Sequence, residues 1–454
     1  MEERFELVII GGGPAGYTAA IEAAKHGIKT ALIEKDTLGG TCLQRGCIPT
    51  KTILHGASLY AKAQREKEKG IFGGELKIHM GMLQEHKREV IHQLQEGIAM
   101  LMKKNKVQVI SGTGSILDRH TVLVKEEGER KIFAEKILIA TGSKTAVPKI
   151  PGWNLKNVLT SSEILDSEEI FPRLTIIGGG VIGMEFASIY SDLGCQVTVL
   201  EFMDRILGNM DREISQNLKM ILKKRGVEIH TGAKVEEIKQ GPQGNLICTY
   251  QEKEERKEAV SEGILLAAGR HPAAEGLFEG SFEIETEGGR ILTDENGETS
   301  VRGIYGAGDV TGGSMLAHAA SAQAVNAVRH MAGKPPLLEL SCIPGCVYTD
   351  PEIACTGLTQ DEAKKQGLEV LVKKYPMSAN GKTVLSGEDR GFIKVVAEKE
   401  SRRILGAQMM CARATDMISQ FSAAVVNRQT LEDLGRVIYP HPTFSEGIGE
   451  AVRD

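Results

Sequence analysis

The chain has 454 residues, a formal net charge of −5, and 60 acidic against 55 basic side chains. Its length predicts about three domains, and an apolar fraction of 41% is enough for well-packed cores. This balance excludes a disordered chain and a polybasic nucleic-acid binder. Glycine is in surplus, with 52 residues against about 32 at the typical frequency of ~7%.

The N-terminal segment and the cysteines indicate the compartment. No apolar run reaches the ~18 residues that span a bilayer. Residues 1–4, MEER, lack the apolar core of a signal peptide and the acid-poor character of a transit peptide. Eight cysteines in such a chain do not indicate a disulfide framework, so a close pair points to redox or metal chemistry. We expect a cytoplasmic protein with no membrane association.

The first forty residues have the pattern of a dinucleotide-binding unit. A predicted strand at 6–10 is followed by GGGPAG at 11–16, a helix at 17–26 and a strand at 29–33. Gly11 permits the tight turn, Gly13 lets the backbone approach a pyrophosphate, and Gly16 allows close helix–strand packing. The helix start favours anionic oxygens. Glu34, at the end of the second strand, is expected to accept a hydrogen bond from a ribose 2′-OH.

The same unit occurs again 167 residues later. Its glycines are Gly178, Gly180 and Gly183, and its terminal acid is Glu201. At either copy, the alternative is an ordinary glycine turn in an α/β sheet. A carboxylate repels a 2′-phosphate, so Glu201 favours NAD over NADP, although Arg205 lies nearby. The repeat predicts an α/β fold with two Rossmann-like dinucleotide-binding domains.

Weaker signals divide the rest of the chain. A helical stretch is predicted at 57–106, and strands at 107–110, 121–124 and 137–140, the last ending in TGS at 141–143. The second unit ends near Gly269, a strand at 303–305 precedes GAGD at 306–309, and a helix is predicted at 317–331. The C-terminal part has no fingerprint and reads as an association domain. The expected domains are 1–147 with 270–336, 148–269, and 337–454.

Two cysteines stand directly after the first unit. The segment 39–51 reads GGTCLQRGCIPTK, with four residues between Cys42 and Cys47. Such a pair is expected to close as a disulfide across one helical turn, and Pro49 suits the first turn of a helix there. A helix N-terminus stabilises a thiolate, and Lys51 adds positive charge. The alternatives are half of a metal site and two inert core thiols, but no further Cys or His stands at metal-ligand spacing close in sequence.

Together these motifs resemble the flavin-dependent disulfide reductases, and among them the dihydrolipoamide dehydrogenases. The resemblance covers nearly the whole chain and includes both fingerprints, the cysteine pair, the motif ending at Asp309, and HPTFSE at 441–446. It implies FAD in the first site, NAD in the second, and a C-terminal α+β dimerisation domain. It also implies oxidation of protein-bound dihydrolipoamide, with NAD⁺ reduced to NADH.

The resemblance also implies roles for single residues. Cys47 would lie against the flavin and Cys42 would meet the substrate, while Lys51 would pair with Glu185 near the flavin. His441 would act as the base, oriented by Glu446, across the interface of a homodimer. Further positions match FAD contacts at Gly40, Thr41, Lys51, Gly114, Ser143, Asp309 and Ala317, and NAD contacts at Glu201, Val235 and Gly269.

The chain carries no lipoyl-like segment, so the lipoyl group is expected on a partner from a 2-oxo-acid dehydrogenase or glycine cleavage system. Two alternatives stay open: reduction of another disulfide, and a docking role within such an assembly. The family usually has Asn-Val where this chain has Gln44-Arg45, and the extra cation is expected to lower a thiol pKa or tune substrate preference. Cys342 and Cys346 are expected to be buried or free thiols, and His318 either faces the flavin or packs a helix.

Overall fold

A computed structural model of the chain describes residues 3–388 and 390–453. In residues 3–145 the strands are β1 (Glu3–Ile10), β2 (Thr30–Glu34), β3 (Gln108–Ser111), β4 (Thr113–Asp118), β5 (Thr121–Lys125), β6 (Glu129–Ile139) and β7 (Ser143–Thr145). The helices there are α1 (Pro14–Lys25), α2 (Gly40–Arg45), α3 (Cys47–Glu68) and α4 (Met80–Lys104).

The second nucleotide unit follows. Its strands are β8 (Val158–Thr160), β9 (Arg173–Ile177), β10 (Gln196–Glu201), β11 (Glu228–Thr231), β12 (Ala233–Gln240), β13 (Leu246–Glu252), β14 (Glu255–Ser261) and β15 (Gly263–Leu266). Its helices are α5 (Ser161–Ile164), α6 (Val181–Asp192) and α7 (Arg212–Lys224), with a 3-10 turn at Pro242–Gly244.

The chain then returns to the first unit and ends in a third. The return contains β16 (Arg270–Pro272), β17 (Thr286–Glu287), β18 (Arg290–Ile291), β19 (Ile304–Gly306), a 3-10 turn at Asp309–Thr311, and α8 (Ala317–Met331). The third unit contains β20 (Gly345–Val347), β21 (Ile353–Gly357), α9 (Gln360–Lys365), β22 (Val370–Pro376), a 3-10 turn at Met377–Ala379, α10 (Gly381–Leu385), β23 (Phe392–Glu398), β24 (Ile404–Met410), α11 (Ala414–Val426), α12 (Leu431–Gly435) and α13 (Glu446–Val452).

The first sheet has the order β3-β2-β1-β6-β5-β4, and β19 pairs with β6. Its central strands β2, β1, β6 and β19 run parallel. Leu7, Val8 and Ile9 of β1 are fully buried, as expected of a parallel strand that is covered on both faces. Helix α1 packs against β1, β2 and α8.

The second sheet repeats this parallel arrangement in the order β11-β10-β9-β15-β8. The third unit differs, because its sheet β20-β21-β24-β23-β22 is antiparallel throughout. Helix α11 covers β21 and β24, while α13 packs on β22 and β23. The predicted fold class, two Rossmann-like domains and an α+β domain, is confirmed.

The prediction of one helical stretch at 57–106 was wrong at both its start and its middle. Helix α3 begins ten residues earlier, at Cys47, and the chain leaves helical conformation between α3 and α4. Gly70 and Gly74 in that connection have φ values of +79° and +81°, a conformation that suits glycine and ends helices. The two helices then pack against one another.

One apolar cluster joins the three units. It contains Ile53 and Ala57 of α3, residues of α6 including Phe186, and Val347 and Phe392 of the third unit. Helix α3 consequently lies against α6. In this shared core, residues of all three units pack around α3. In the described ranges, no helix is both long and apolar enough to cross a membrane.

Candidate active site

Both glycine fingerprints have the same close backbone geometry. A Cβ atom at Gly11 would lie 2.3 Å from the carbonyl oxygen of Ala140, and one at Gly178 would lie 2.3 Å from that of Ala267. A Cβ at Gly16 would lie 1.8 Å from the Gly11 carbonyl oxygen. The corresponding distance from Gly183 to the Gly178 oxygen is 2.0 Å. Strand, turn and helix therefore pack at a distance that only glycine allows.

The start of each following helix is open toward a ligand. A Cβ at Gly180 would meet no heavy atom within 4 Å, and one at Gly13 would meet only Gly40 Cα, at 3.8 Å. Neither α1 nor α6 has an acidic residue in its first turn. No acidic side chain in the first turn of the same helix therefore competes for the unpaired N–H groups, which fits the pyrophosphate of a dinucleotide.

The acids that end the second strand of each unit are held alike. Glu34 accepts hydrogen bonds from the N–H groups of Gly12 (2.6 Å) and Asp36 (2.9 Å). Glu201 accepts them from Gly179 and, at 2.6 Å, from Met203. A carboxylate has about four lone-pair positions, so each one keeps capacity for ribose hydroxyls. The sequence predicted the acids but not this backbone anchoring.

The surroundings of Glu201 bear on nucleotide choice. The Arg205 guanidinium donates a hydrogen bond to the Gly208 carbonyl oxygen. Phe202, the residue directly after Glu201, is 65% exposed. Arg205 Nη1 has no hydrogen-bond partner within the described residues, so the expected preference for NAD depends on the Glu201 charge.

The remaining positions matched to FAD gather around the first fingerprint. A Cβ at Gly40 would lie 2.6 Å from Gly13 Cα, so α2, which also carries Thr41, begins against the fingerprint. Gly114 of β4 lies beside Ile10 and Ile33, where an added Cβ would be 3.2 and 3.3 Å from their side chains. Ala317 is the first residue of α8, the helix that packs on α1.

Two positions matched to NAD lie in the second unit. Val235 of β12 is partly buried against the cluster that contains Leu200, the neighbour of Glu201. Gly269 has a φ of +111°, and an added Cβ there would meet nothing within 4 Å.

Ser143 and Asp309 meet across 166 positions of sequence, and an arginine joins them. The Ser143 hydroxyl donates to Asp309 Oδ2 (2.5 Å), and Arg270 Nε donates to the same hydroxyl (2.8 Å). A second Arg270 nitrogen donates to the Ser143 carbonyl oxygen (2.7 Å). Burial lowers the pKa of the Arg270 guanidinium. Arg270 was missed as a site residue, although it directly follows Gly269.

The cysteine pair lies at the junction of two helices. Cys42 is on α2, Cys47 is the first residue of α3, and Gly46 separates the helices, so the predicted single helical turn is wrong. Neither thiol forms a disulfide in this structure. A hydrogen bond from Cys42, aided by the Lys51 charge, lowers the pKa of Cys47 to about 7. The same hydrogen bond, together with burial, raises the pKa of Cys42.

Lys51 lies one turn after Cys47 on α3, in the first unit, and it contacts one residue in each of the other two units. Its Nζ is 2.7 Å from Glu185 Oε2 and 4.6 Å from the centre of the Tyr348 ring. Glu185, on α6, is 3% exposed. The structure therefore brings together Cys42, Cys47, Lys51 and Glu185 beside the first fingerprint.

His441 and Glu446 form a separate pair. His441 Nδ1 lies 2.9 Å from Glu446 Oε1, and the Thr443 N–H donates to the other carboxylate oxygen (2.8 Å). These two hydrogen bonds lower the pKa of Glu446. The His441 side chain is 78% exposed. Within one chain, α13 packs on α12, β22 and β23, whereas α2 packs on α3 and α4, so the pair is not brought to the cysteines.

The departures from the family pattern have local explanations. Arg45 forms an ion pair with Asp36, and the shifts in the pKa values of Cys42 and Cys47 arise from other groups.

The other residues considered in the sequence have structural roles. Cys342 is buried with its Sγ 3.1 Å from the Thr356 hydroxyl, and burial raises the pKa of Cys346. His318 Nε2 lies 2.7 Å from the Pro344 carbonyl oxygen, which ties α8 to the segment before β20. Residues 3–388 and 390–453 contain no cluster of three acidic, His or Cys side chains suited to a metal.

Comparison with known proteins places the chain in a family. Residues 5–324 match the pyridine nucleotide-disulphide oxidoreductase model, and residues 343–452 match the dimerisation domain of that family. A dihydrolipoyl dehydrogenase of Bacillus subtilis (strain 168) is 41% identical, over 99% of this chain and 98% of that protein.

Two solved structures share the architecture over almost the full length. The Cu(II) complex of the HOCl-induced flavoprotein disulfide reductase RclA from Escherichia coli is 30% identical, with a TM-score of 0.89, covering 100% of this chain and 99% of that one. LpdA from Mycobacterium tuberculosis is 26% identical, with a TM-score of 0.91, covering 99% of both chains. The chain therefore belongs to the pyridine nucleotide-disulphide oxidoreductase family.

Proposed function

We propose that this protein is an FAD-dependent dihydrolipoyl dehydrogenase that oxidises protein-bound dihydrolipoamide and reduces NAD⁺. The observation that carries the proposal is a cysteine pair, Cys42 on α2 and Cys47 at the start of α3, that lies near Lys51 and beside the first dinucleotide cradle. Similarity to the Bacillus subtilis dihydrolipoyl dehydrogenase over 99% of the chain supports the substrate. The lipoyl-bearing partner belongs to a 2-oxo-acid dehydrogenase or glycine cleavage system.

The cysteines exchange a disulfide with the substrate. A substrate thiolate attacks Cys42 Sγ of the oxidised pair, which breaks the Cys42–Cys47 bond and releases Cys47 as a thiolate. The second substrate thiol then attacks the substrate sulfur of the mixed disulfide, so that oxidised lipoamide leaves and Cys42 is released reduced. His441 accepts the substrate proton, and Glu446 orients the imidazole. FAD, when bound, supplies electron transfer from the reduced pair to NAD⁺.

The acidity of Cys47 suits its position as the released sulfur. A leaving thiol departs faster when its pKa is low. While Cys42 carries the substrate it cannot donate a hydrogen bond to Cys47, so the Lys51 charge is the largest remaining contribution that lowers the pKa of Cys47 in this step. The raised pKa of Cys42 favours the protonated form of that thiol after reduction. A base is therefore needed outside the pair, which is the role proposed for His441.

We place each active site between two subunits of a homodimer, with His441 and Glu446 acting on the cysteines of the opposite subunit. The dimerisation-domain match and the separation of His441 from Cys42 within one chain support this arrangement. A hybrid dimer of one Cys42→Ser subunit and one His441→Gln subunit would contain one intact shared site. We expect about half of the wild-type activity. Sites contained within single chains would leave this hybrid inactive.

The division into 1–147 with 270–336, 148–269, and 337–454 stays a prediction, which is supported by the presence of one of the three largest sheets in each unit. Limited proteolysis that cuts near residues 148, 270 and 337 tests it. The cytoplasmic location also stays a prediction, tested by cell fractionation.

Steady-state assays test the proposed function most broadly. The FAD-loaded enzyme is supplied with dihydrolipoamide and NAD⁺ or NADP⁺, and in the reverse direction with NADH and either glutathione disulfide or coenzyme A disulfide. We expect the highest kcat/KM for dihydrolipoamide with NAD⁺. Preference for another disulfide would favour the alternative, which the likeness to RclA supports. Preference for NADP⁺ would contradict the role of Glu201.

A further inference from the structure

Tyr348 touches both members of the ion pair beside the cysteines. Lys51 Nζ lies 4.6 Å from the centre of its ring, and its backbone N–H donates a hydrogen bond to Glu185 Oε1 (3.1 Å). Glu185 Oε2 meets Lys51 Nζ at 2.7 Å. One residue therefore fixes the carboxylate through its backbone and the ammonium through its side chain.

The segment that carries Tyr348 is itself held on both sides. Val347, directly before it, is fully buried in the core shared by the three units. Two residues beyond it, Asp350 accepts a hydrogen bond from Arg225 (2.9 Å) and lies 3.5 Å from an Arg65 nitrogen. Arg65 belongs to α3, so the segment is anchored to the helix that also carries Cys47 and Lys51.

We propose that Tyr348 is a positioning residue that holds the Lys51 ammonium toward Cys47. The Lys51 ammonium lies between the Glu185 carboxylate and the Tyr348 ring, so the ring limits how far the ammonium can turn onto that carboxylate. An aromatic face attracts a cation without adding a negative charge near the thiolate. The inference rests on the proposed function, in which Cys47 is the released thiolate.

The position of the Lys51 ammonium affects the pKa of Cys47. The Lys51 charge lowers the pKa of Cys47 and the Glu185 charge raises it, so the balance between them depends on where the ammonium is held. The titratable and charged groups that face Cys47 come from several elements. They are Tyr17 of α1, Cys42 of α2, Lys51 of α3, Glu185 of α6, Arg270 of β16, and Tyr348.

The test measures the pKa of Cys47 in FAD-loaded, full-length enzyme. A Cys42→Ser background leaves Cys47 as the thiol of the pair, and its thiolate is followed by long-wavelength charge-transfer absorbance against pH. Tyr348→Phe keeps the ring, while Tyr348→Leu and Tyr348→Met remove it and retain much of the apolar volume. We expect Phe to leave the pKa of Cys47 in place and Leu and Met to raise it by about one pH unit, the effect of one displaced opposite charge.

A Lys51→Met background supplies the control. There, Tyr348→Leu is expected to leave the pKa of Cys47 unchanged, because the cation that the ring positions is gone. An unchanged pKa in both Leu and Met variants with Lys51 present would overturn the inference, and so would an equal rise in the Phe variant. Absence of a thiolate band in the Cys42→Ser parent would instead contradict the proposed function. Circular dichroism and FAD content identify variants that have lost their fold.

Discussion

At the scale of single residues, Glu34 and Glu201 occupy equivalent positions 167 residues apart and each binds two backbone N–H groups. A carboxylate in this position both shapes the loop and accepts from a ribose hydroxyl. Its negative charge also repels a 2′-phosphate. We therefore propose that one side chain links the geometry of the loop to the choice of nucleotide.

Glu201→Gln tests this link. The amide group replaces one acceptor oxygen with a donor and removes the charge, so we expect kcat/KM for NAD⁺ to fall about tenfold to a hundredfold. The ratio of turnover with NAD⁺ to turnover with NADP⁺ should decrease, because the carboxylate that repels the 2′-phosphate is gone. Glu34→Gln is the matched control. It should weaken FAD retention and leave the nucleotide ratio unchanged, and an unaltered ratio in Glu201→Gln would refute the assignment.

His441→Gln tests the proposed base. Loss of a positioned base lowers turnover by about 10²–10⁴-fold, so kcat with dihydrolipoamide should fall within that range. NADH oxidation by an artificial acceptor does not require the substrate thiol to lose a proton. That reaction should continue at a near wild-type rate, and a parallel loss of both activities would argue against the proposed role.

Residue types and spacing were sufficient to predict the glycines, the acids and the cysteine pair, since each belongs to a short motif. Arg270 and Tyr348 were missed because their partners Ser143 and Glu185 are 127 and 163 positions away in sequence. No local pattern marks such residues. Only the packing of separate units brings them together.

At the scale of elements, the close approach of strand and helix in each fingerprint depends on the third glycine. A methyl group at Gly183 would lie 2.0 Å from the Gly178 carbonyl oxygen, so α6 would have to move away from its turn. We expect Gly183→Ala to abolish measurable NAD⁺ binding while FAD stays bound, as isothermal titration and flavin absorbance would show. Retained NAD⁺ affinity would contradict this geometry.

Gly97→Ala on α4 is, by contrast, a substitution that we expect to stabilise the protein. An added Cβ there meets nothing within 4 Å, and alanine is the better helix former. The free energy of unfolding should rise by about 0.5–1 kcal/mol, measured by chemical denaturation. A loss of stability would indicate that α4 is packed differently.

The elements were predicted well where an apolar strand or an alanine-rich helix is bounded by glycine. The predicted helix at 317–331 has the bounds of α8, and the predicted strand at 121–124 corresponds to β5. The helix predicted with Pro49 in its first turn matches the start of α3, but it was not joined to the helical stretch predicted from residue 57. The apolar contacts of α3 with α6, which decide its path, involve residues more than a hundred positions away.

At the scale of the whole molecule, a charged cluster lies where the three units meet. Asp192 of α6 is 5% exposed at its side chain, and its nearest Arg225 nitrogen is 3.9 Å away. Its Oδ2 has no hydrogen-bond partner within the described residues. Burial raises the pKa of Asp192 to about 6, an effect that nearby Asp350 reinforces and that Arg225, Arg65 and Lys62 oppose.

Asp192→Asn is expected to stabilise the protein at neutral pH. A folded-state pKa above the usual 3.8 favours the protonated form, so the cost of the charge is absent below about pH 4 and complete above about pH 6. The shift corresponds to about 3 kcal/mol as an upper limit, and we expect a gain of about 1–3 kcal/mol at pH 7.5 that disappears near pH 4. Asp361→Asn, at an exposed ion pair, is the control and should change stability by less than about 0.5 kcal/mol. A gain that does not depend on pH would contradict the assignment.

The arrangement of units could be predicted only in outline. The internal repeat predicted two nucleotide domains, but nothing in the sequence indicated that β16 would pair with β7 or that three units would share one core. Such contacts depend on complementary surfaces formed by residues from distant segments. They place Lys51, Glu185 and Tyr348 within reach of Cys47.

The most direct measurement of the central claim compares NADH formation from dihydrolipoamide by the FAD-loaded wild type, Cys42→Ser and Cys342→Ser enzymes. Disulfide exchange at Cys42 requires that Cys42→Ser lose the activity by at least about 10³-fold, since serine cannot form the mixed disulfide. NADH oxidation by an artificial acceptor should persist in that variant, and Cys342→Ser should retain both activities. Substantial dihydrolipoamide turnover by Cys42→Ser would contradict the account.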